Sequence, residues 1–276
     1  MGTIEEIFYT TDIWKHFEKV AQEEEKITLI KDLVSHGIPI LDRIIETFPT
    51  YTIHSGQHQL NILNLYSSLL GERIKELNDL ETAILILSAF YHDIGMVFKK
   101  DEKNNLAKEE MFTSFLNENP SAKLQYYTED KVSEELGEWY CRWAHAKRVW
   151  VYLNELNEKL IWDGNNIRKE LANVCLSHNE DTEFIKSSEI PSDYWGNADL
   201  KFCSIILRLA DILDFDRSRS PLSVYRYLGL HKASSSSSKQ SQKEWLKHLA
   251  TKGFDFGEWS NEIPYEIGFK ASPTNP

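Results

Sequence analysis

Residues 80–96 read Leu-Glu-Thr-Ala-Ile-Leu-Ile-Leu-Ser-Ala-Phe-Tyr-His-Asp-Ile-Gly-Met, a strongly apolar run that ends in His92 and Asp93. A helix that is hydrophobic all round belongs in the middle of a protein, so this segment is expected to be the central, buried helix. The polar pair near its end is then the anomaly. A carboxylate in that position is costly unless it is paired or bound to a metal ion.

The neighbouring sequence is also helical in pattern. Apolar residues recur at helix spacing over 11–48 (Ile13, Phe17, Val20, Leu29, Leu33, Ile38, Leu41, Ile44, Ile45), and again over 56–77, 131–160, 166–180 and 199–214. A short helix is expected over 108–118, a charged loop over 99–105 and a longer loop over 187–198. The fold class read from this is all-α. After Arg219 the character changes: Ser234–Ser238 is a flexible stretch by composition, a short helix is expected around Glu244–Ala250, and residues 263–269 alternate like a strand. The chain is therefore divided into N-terminal helices (1–49), a core (50–220) and a tail (221–276). It stops at Ala-Ser-Pro-Thr-Asn-Pro (271–276) without an element that closes the fold, which reads as a domain cut from a longer protein, with a further domain C-terminal to it.

The chain has 276 residues, 41% hydrophobic and 27% charged, enough apolar surface to exclude intrinsic disorder. Lys and Arg number 31 against 43 Asp and Glu, a net charge of −12. That balance counts against an extended nucleic-acid face, which is built from Lys/Arg clusters. It leaves a small phosphorylated substrate open, because a metal ion can supply the local positive charge. The three cysteines, Cys141, Cys175 and Cys203, show no Cys-x-x-Cys spacing and read as reduced thiols packed in the core of a cytoplasmic protein. The acidic N-terminus does not resemble a signal peptide, and no apolar run reaches the roughly 18 residues a membrane span needs. Gly-x-Gly-x-x-Gly, P-loop and Gly-x-Ser-x-Gly motifs are absent.

Projection onto helices brings out a constellation. His58 shares a stripe with Ile62, Leu65 and Leu69; His145 with Cys141, Val149 and Tyr152. His178 follows Leu171, Val174 and Cys175, and Asp211 follows Leu200, Cys203 and Leu207. With His92 and Asp93, five helices each direct an imidazole or a carboxylate inward. Taken singly, each has an ordinary reading: a buried histidine is usually hydrogen-bonded in place, and Arg208 is a ready partner for Asp211. Taken together, a mixed His/Asp set suits a divalent metal such as Mn, Fe, Co or Zn, with Mg possible at an oxygen-rich position.

The ordered motifs Tyr-Thr-Ile-His-Ser-Gly-Gln-His (51–58), His-Asp-Ile-Gly-Met (92–96), Trp-Ala-His-Ala-Lys-Arg (143–148), Cys-Leu-Ser-His-Asn-Glu (175–180) and Leu-Arg-Leu-Ala-Asp-Ile-Leu-Asp-Phe (207–215) resemble the HD superfamily of metal-dependent phosphohydrolases, most closely its HD-CE type. The resemblance covers roughly residues 10–220. It implies an HD-domain helical bundle with a short, partly β or irregular tail, using one or two divalent ions. It implies His58, His92, Asp93 and Asp211 as ligands of a first metal and His145 and His178 as ligands of a second, with Asp93 able to bridge. His92, Asp93 and Arg208 are the expected catalytic residues, and His54 and Arg148 the expected substrate contacts. The implied activity is hydrolysis of a phosphoester of a nucleotide or related small molecule by metal-activated water. Two alternatives stand beside it: a regulatory or scaffold module of a larger signalling or defence protein, and a single-strand nuclease, against which the charge and the lack of a basic stripe count.

Overall fold

The structure is a computed structural model describing residues 2–49, 56–191, 195–215, 219–234, 236–257 and 266–272. It is an all-α bundle with two small antiparallel hairpins. The N-terminal region folds as α1 (Ile4–Phe8), α2 (Asp12–Val20), α3 (Glu24–Leu41) and α4 (Ile44–Thr47). The centre of the bundle is α5 (Gly56–Leu70) and α6 (Asp79–Tyr91). Three short helices follow, α7 (Glu102–Asn105), α8 (Glu110–Glu118) and α9 (Pro120–Glu129), before the long α10 (Glu134–Leu153). A hairpin of β1 (Ile161–Trp162) and β2 (Asn165–Asn166) leads to α11 (Arg168–Ser177), α12 (Thr182–Lys186) and α13 (Leu200–Leu213). The tail contains α14 (Leu222–Tyr227), α15 (Ser236–Ala250), β3 (Thr251–Phe256) and β4 (Ile267–Ala271).

Helix α6 is buried from Leu80 through Tyr91, as its strong apolarity leads one to expect. Its start is fixed by a capping box: Asn78 accepts from the Glu81 amide at 2.9 Å, and Glu81 accepts from the Asn78 amide at 3.1 Å. The helix stops at Tyr91, one residue before the polar pair. His92 is its C-cap, and a single 3₁₀ turn over Ile94–Met96 carries the chain away. That turn lies against α10, and the contact requires a glycine. A Cβ at Gly95 would sit 2.0 Å from the carbonyl oxygen of His145 and 3.0 Å from Cβ of Arg148. Gly95→Ala is expected to push α10 off the turn, cost about 1–3 kcal/mol and displace His145. Urea unfolding and the metal affinity of the variant test this, and unchanged values in both would contradict it.

One continuous apolar cluster runs from Phe8 and Trp14 through α6 to Leu207 and Leu213, so the N-terminal helices share the core of the bundle. The 11–48 pattern resolves into three helices, the first break falling at Gln22, whose φ is +52°, and the second at Asp42–Arg43. The second hairpin packs its Phe254 and Phe256 on the main core. A separate small cluster of Tyr225, Leu230 and Trp245 anchors the tail. Trp245 is wholly buried, and this anchoring corrects the reading of the serine run: from Ser236 onward it belongs to α15, extended backward from the buried Trp245. The expected charged loop at 99–105 contains the short α7, and the expected strand lies at 267–271, with 261–265 outside the described residues. All three cysteines are buried and free. No helix among the described residues is long and apolar enough to cross a membrane.

Candidate metal centre

Five elements of the bundle converge on one buried point. His58 comes from the first turn of α5, His92 and Asp93 from the end of α6, His145 from the middle of α10, His178 from the C-cap of α11 and Asp211 from the last turn of α13. Each sits where an apolar stripe turns its helix face toward the core, so packing of the stripes delivers the polar groups to one place.

The groups fall into two sets, His58–His92–Asp211 and Asp93–His145–His178, with the potential ligand atoms in each set within 4.8 Å of one another. Nε2 of His58 lies 3.2 Å from Nε2 of His92, and Nε2 of His145 lies 2.9 Å from Nε2 of His178. Asp93 stands between the pairs. Its Oδ2 is 3.4 Å from His58 Nε2 and 3.3 Å from His92 Nε2, while its Oδ1 is 3.7 Å from His145 Nε2 and 3.8 Å from His178 Nε2. Asp211 Oδ1 faces the first pair, 3.6 Å from His58 and 3.9 Å from His92.

The outward nitrogens decide what the inward ones offer. His92 Nδ1 donates to the carbonyls of Ser88 (3.1 Å) and Ala89 (3.0 Å), His145 Nδ1 to that of Arg142 (2.8 Å) and His178 Nδ1 to that of Cys175 (2.5 Å). His58 Nδ1 is 2.5 Å from Oδ2 of Asp214. A carbonyl or carboxylate only accepts, so each Nδ1 carries a proton, and a ring in its neutral form turns an Nε2 lone pair inward. Two lone pairs facing each other need a proton or a cation between them. The 2.9–3.2 Å separations also suit two nitrogens sharing one ion at about 2.0–2.1 Å, for which neighbouring ligands stand roughly 2.9–3.4 Å apart. The residues present therefore fit divalent metal.

Without a cation between the facing nitrogens, a proton takes its place, and the charges around His92 favour it there. For His92, burial opposes protonation, but the carboxylates of Asp93 and Asp211 outweigh it and push the imidazole up to about 9. His178 is pushed down to about 4 by burial and by its neighbours His92 and His145. Burial would raise the carboxyl of Asp214, yet the hydrogen bond from His58, the Arg219 guanidinium and the hydrogen bond from Asn61 hold it below the usual range.

The remaining expected residues have different surroundings. Arg208 donates from Nη1 to the carbonyls of Ser177 (3.2 Å) and Glu180 (2.5 Å), tying α13 to the end of α11 beside His178. Arg148 corrects its reading as a substrate contact. It is 1% exposed, and all five of its N–H groups are used, on Glu102, the carbonyls of Gly95 and Val97, and Sγ of Cys141. It anchors the turn that follows Asp93. His54 lies outside the described residues.

Three residues that sequence reasoning did not assign to the site complete it. Asp214 holds His58, Asn61 donates to Asp214 Oδ1 at 2.9 Å, and Arg219 donates to the Asp214 carbonyl at 3.1 Å with its guanidinium 3.5 Å from Oδ2. Asp214 lies three residues past Asp211 and Asn61 three past His58, so helix spacing was the available signal for both. Arg219 follows the end of α13 and carried none.

The family model HD-CE matches residues 48–276. No curated protein and no solved structure matches the chain. The match takes in every helix that contributes a group to the cluster, and the chain belongs to the HD-CE family of HD-domain proteins.

Proposed function

We propose that the protein is a metal-dependent phosphohydrolase acting on a phosphoester of a nucleotide or a related small molecule. The observation that carries this reading is the position of Asp93, whose two carboxylate oxygens each face a pair of histidine lone pairs. When bound, divalent ions supply Lewis acidity that lowers the pKa of water and neutralises phosphoryl charge. The chain's own groups do the rest. His58, His92 and Asp211 would hold one ion and His145 and His178 the other, with Asp93 offering one carboxylate oxygen to each set. The Nδ1 hydrogen bonds fix the rings before substrate arrives, so no reorganisation is needed during reaction. Arg208 keeps Nε and Nη2 without an acceptor among the described residues, which suits contact with a phosphate oxygen. A module serving only as a scaffold has no use for four imidazoles turned toward the buried Asp93 and the half-buried Asp211.

The test is elemental analysis after incubation with Mn²⁺, followed by chromatographic detection of the hydrolysis products of mono-, di-, tri- and cyclic nucleotides. About two equivalents of metal are expected, with hydrolysis abolished by chelator and by a His92→Ala/Asp93→Ala double variant. Absence of bound metal, or equal turnover by the double variant, would overturn the reading.

A further inference from the structure

The two halves of the cluster differ in how their histidines are held. Every Nδ1 in the Asp93–His145–His178 set donates to a backbone carbonyl. In the other set, His58 donates to a carboxylate, Oδ2 of Asp214, which is 4% exposed. A carboxylate partner makes an imidazole a better ligand than a carbonyl does, and fixes its tautomer more firmly. Asp214 is itself held on every side by donors: Asn61 Nδ2 on Oδ1, the Arg219 guanidinium near Oδ2 and His58 Nδ1 on Oδ2. Its surroundings therefore demand an acceptor at both oxygens.

We propose that Asp214 is a positioning residue that makes the His58–His92–Asp211 position the tighter of two inequivalent metal positions, so that it fills first and the Asp93–His145–His178 position fills only at higher metal concentration. This rests on the metal-centre reading above and goes one step past it, to the order of occupancy and its cause. Asp214→Asn isolates the effect because it keeps shape and volume. An asparagine has one acceptor and one NH₂, so turning its oxygen to Asn61 puts the NH₂ against His58 Nδ1. The His58 proton then moves to Nε2, and the inward lone pair is lost. Turning the amide the other way instead sets two NH₂ groups against each other at Asn61.

The experiment is titration of chelator-stripped protein with Mn²⁺ alone, followed calorimetrically. Wild type is expected to fill in two steps separated by about tenfold or more in affinity. Asp214→Asn is expected to weaken the tighter step by about 10–100-fold and leave the weaker one within about threefold. His145→Ala is expected to remove the weaker step and spare the tighter one. Asn61→Ala removes one of the donors on Asp214 and is expected to weaken the tighter step by less than Asp214→Asn does. The proposal is overturned if Asp214→Asn leaves the tight step in place, or if His145→Ala removes it. Wild type binding no Mn²⁺ would instead remove the metal-centre reading itself, and the proposal with it. Should the variants fail to fold, ¹⁵N NMR of histidine-labelled wild type gives an independent reading: His58 protonated at Nδ1 supports the proposal, and protonation at Nε2 overturns it.

Discussion

Asp93→Ala is expected to empty both metal positions together, and to do so more completely than loss of any other single residue. Every other group in the cluster faces one position: Asp211 Oδ1 lies toward His58 and His92, and His145 and His178 pair with each other. Asp93 alone turns one oxygen to each pair. Its removal takes a ligand from both sets and leaves the facing imidazoles with one carboxylate less to balance an ion's charge. Each affinity should therefore fall by more than the roughly 10–100-fold that follows loss of an outer partner. If the ions supply at least about 4 kcal/mol of transition-state stabilisation, phosphate release falls by about a thousandfold or more. Asp211→Ala gives the contrast, lowering the His58–His92 position and sparing the other. Metal content by elemental analysis and phosphate release decide the matter, with circular dichroism as the check on folding. An Asp93→Ala protein that kept one equivalent of metal would show that the carboxylate does not bridge, and one that kept its activity would show that it is not needed.

What the sequence made legible follows from what each residue does locally. The strong apolarity of 83–91 pointed to a buried helix, and α6 is one. His58, His145, His178 and Asp211 sit on apolar stripes, so helix periodicity alone indicated that they point inward, and the structure brings them together. Asp214 was harder to read. It lies where α13 ends, and its role depends on His58, which is 156 residues away in sequence. Arg148 was misread because i+3 spacing from His145 suggested a shared face. Its side chain instead reaches the turn at Gly95–Val97 and finds Glu102, a partner that no local pattern reveals. Helix α9 went unread for a physical reason as well: Ala122 is its only buried residue, and Leu124 and Tyr127 are 71% and 68% exposed. A helix that buries so little leaves almost no periodic signal.

The Arg148–Glu102 pair carries the second large expectation, this time for stability. Arg148 lies inside the bundle, and Glu102 Oε1 meets its Nη2 at 2.7 Å and its Nε at 3.2 Å. Such a pair adds little over a well-packed apolar replacement, because desolvating both ions offsets most of their attraction. Breaking it from one side is different, since the surviving charge stays buried without its counterion. Glu102→Ala is therefore expected to destabilise the protein by about 3–5 kcal/mol. Glu102→Gln, which preserves a hydrogen-bond acceptor and drops only the charge, should cost clearly less. The double variant Glu102→Leu/Arg148→Met should recover much of the loss. The damage is also expected to reach the metal centre, because Arg148 donates to the carbonyls of Gly95 and Val97, two and four residues past Asp93. Once the guanidinium is freed from Glu102, that turn loses its anchor and Asp93 its fixed position between the histidine pairs. Urea unfolding of the three variants, with Mn²⁺ titration of each, separates the two effects. A Glu102→Ala cost below about 1 kcal/mol would mean that water reaches Arg148 and that the pair is an ordinary surface ion pair. A full cost with unchanged metal affinity would mean that the turn holds Asp93 in place without help from Arg148.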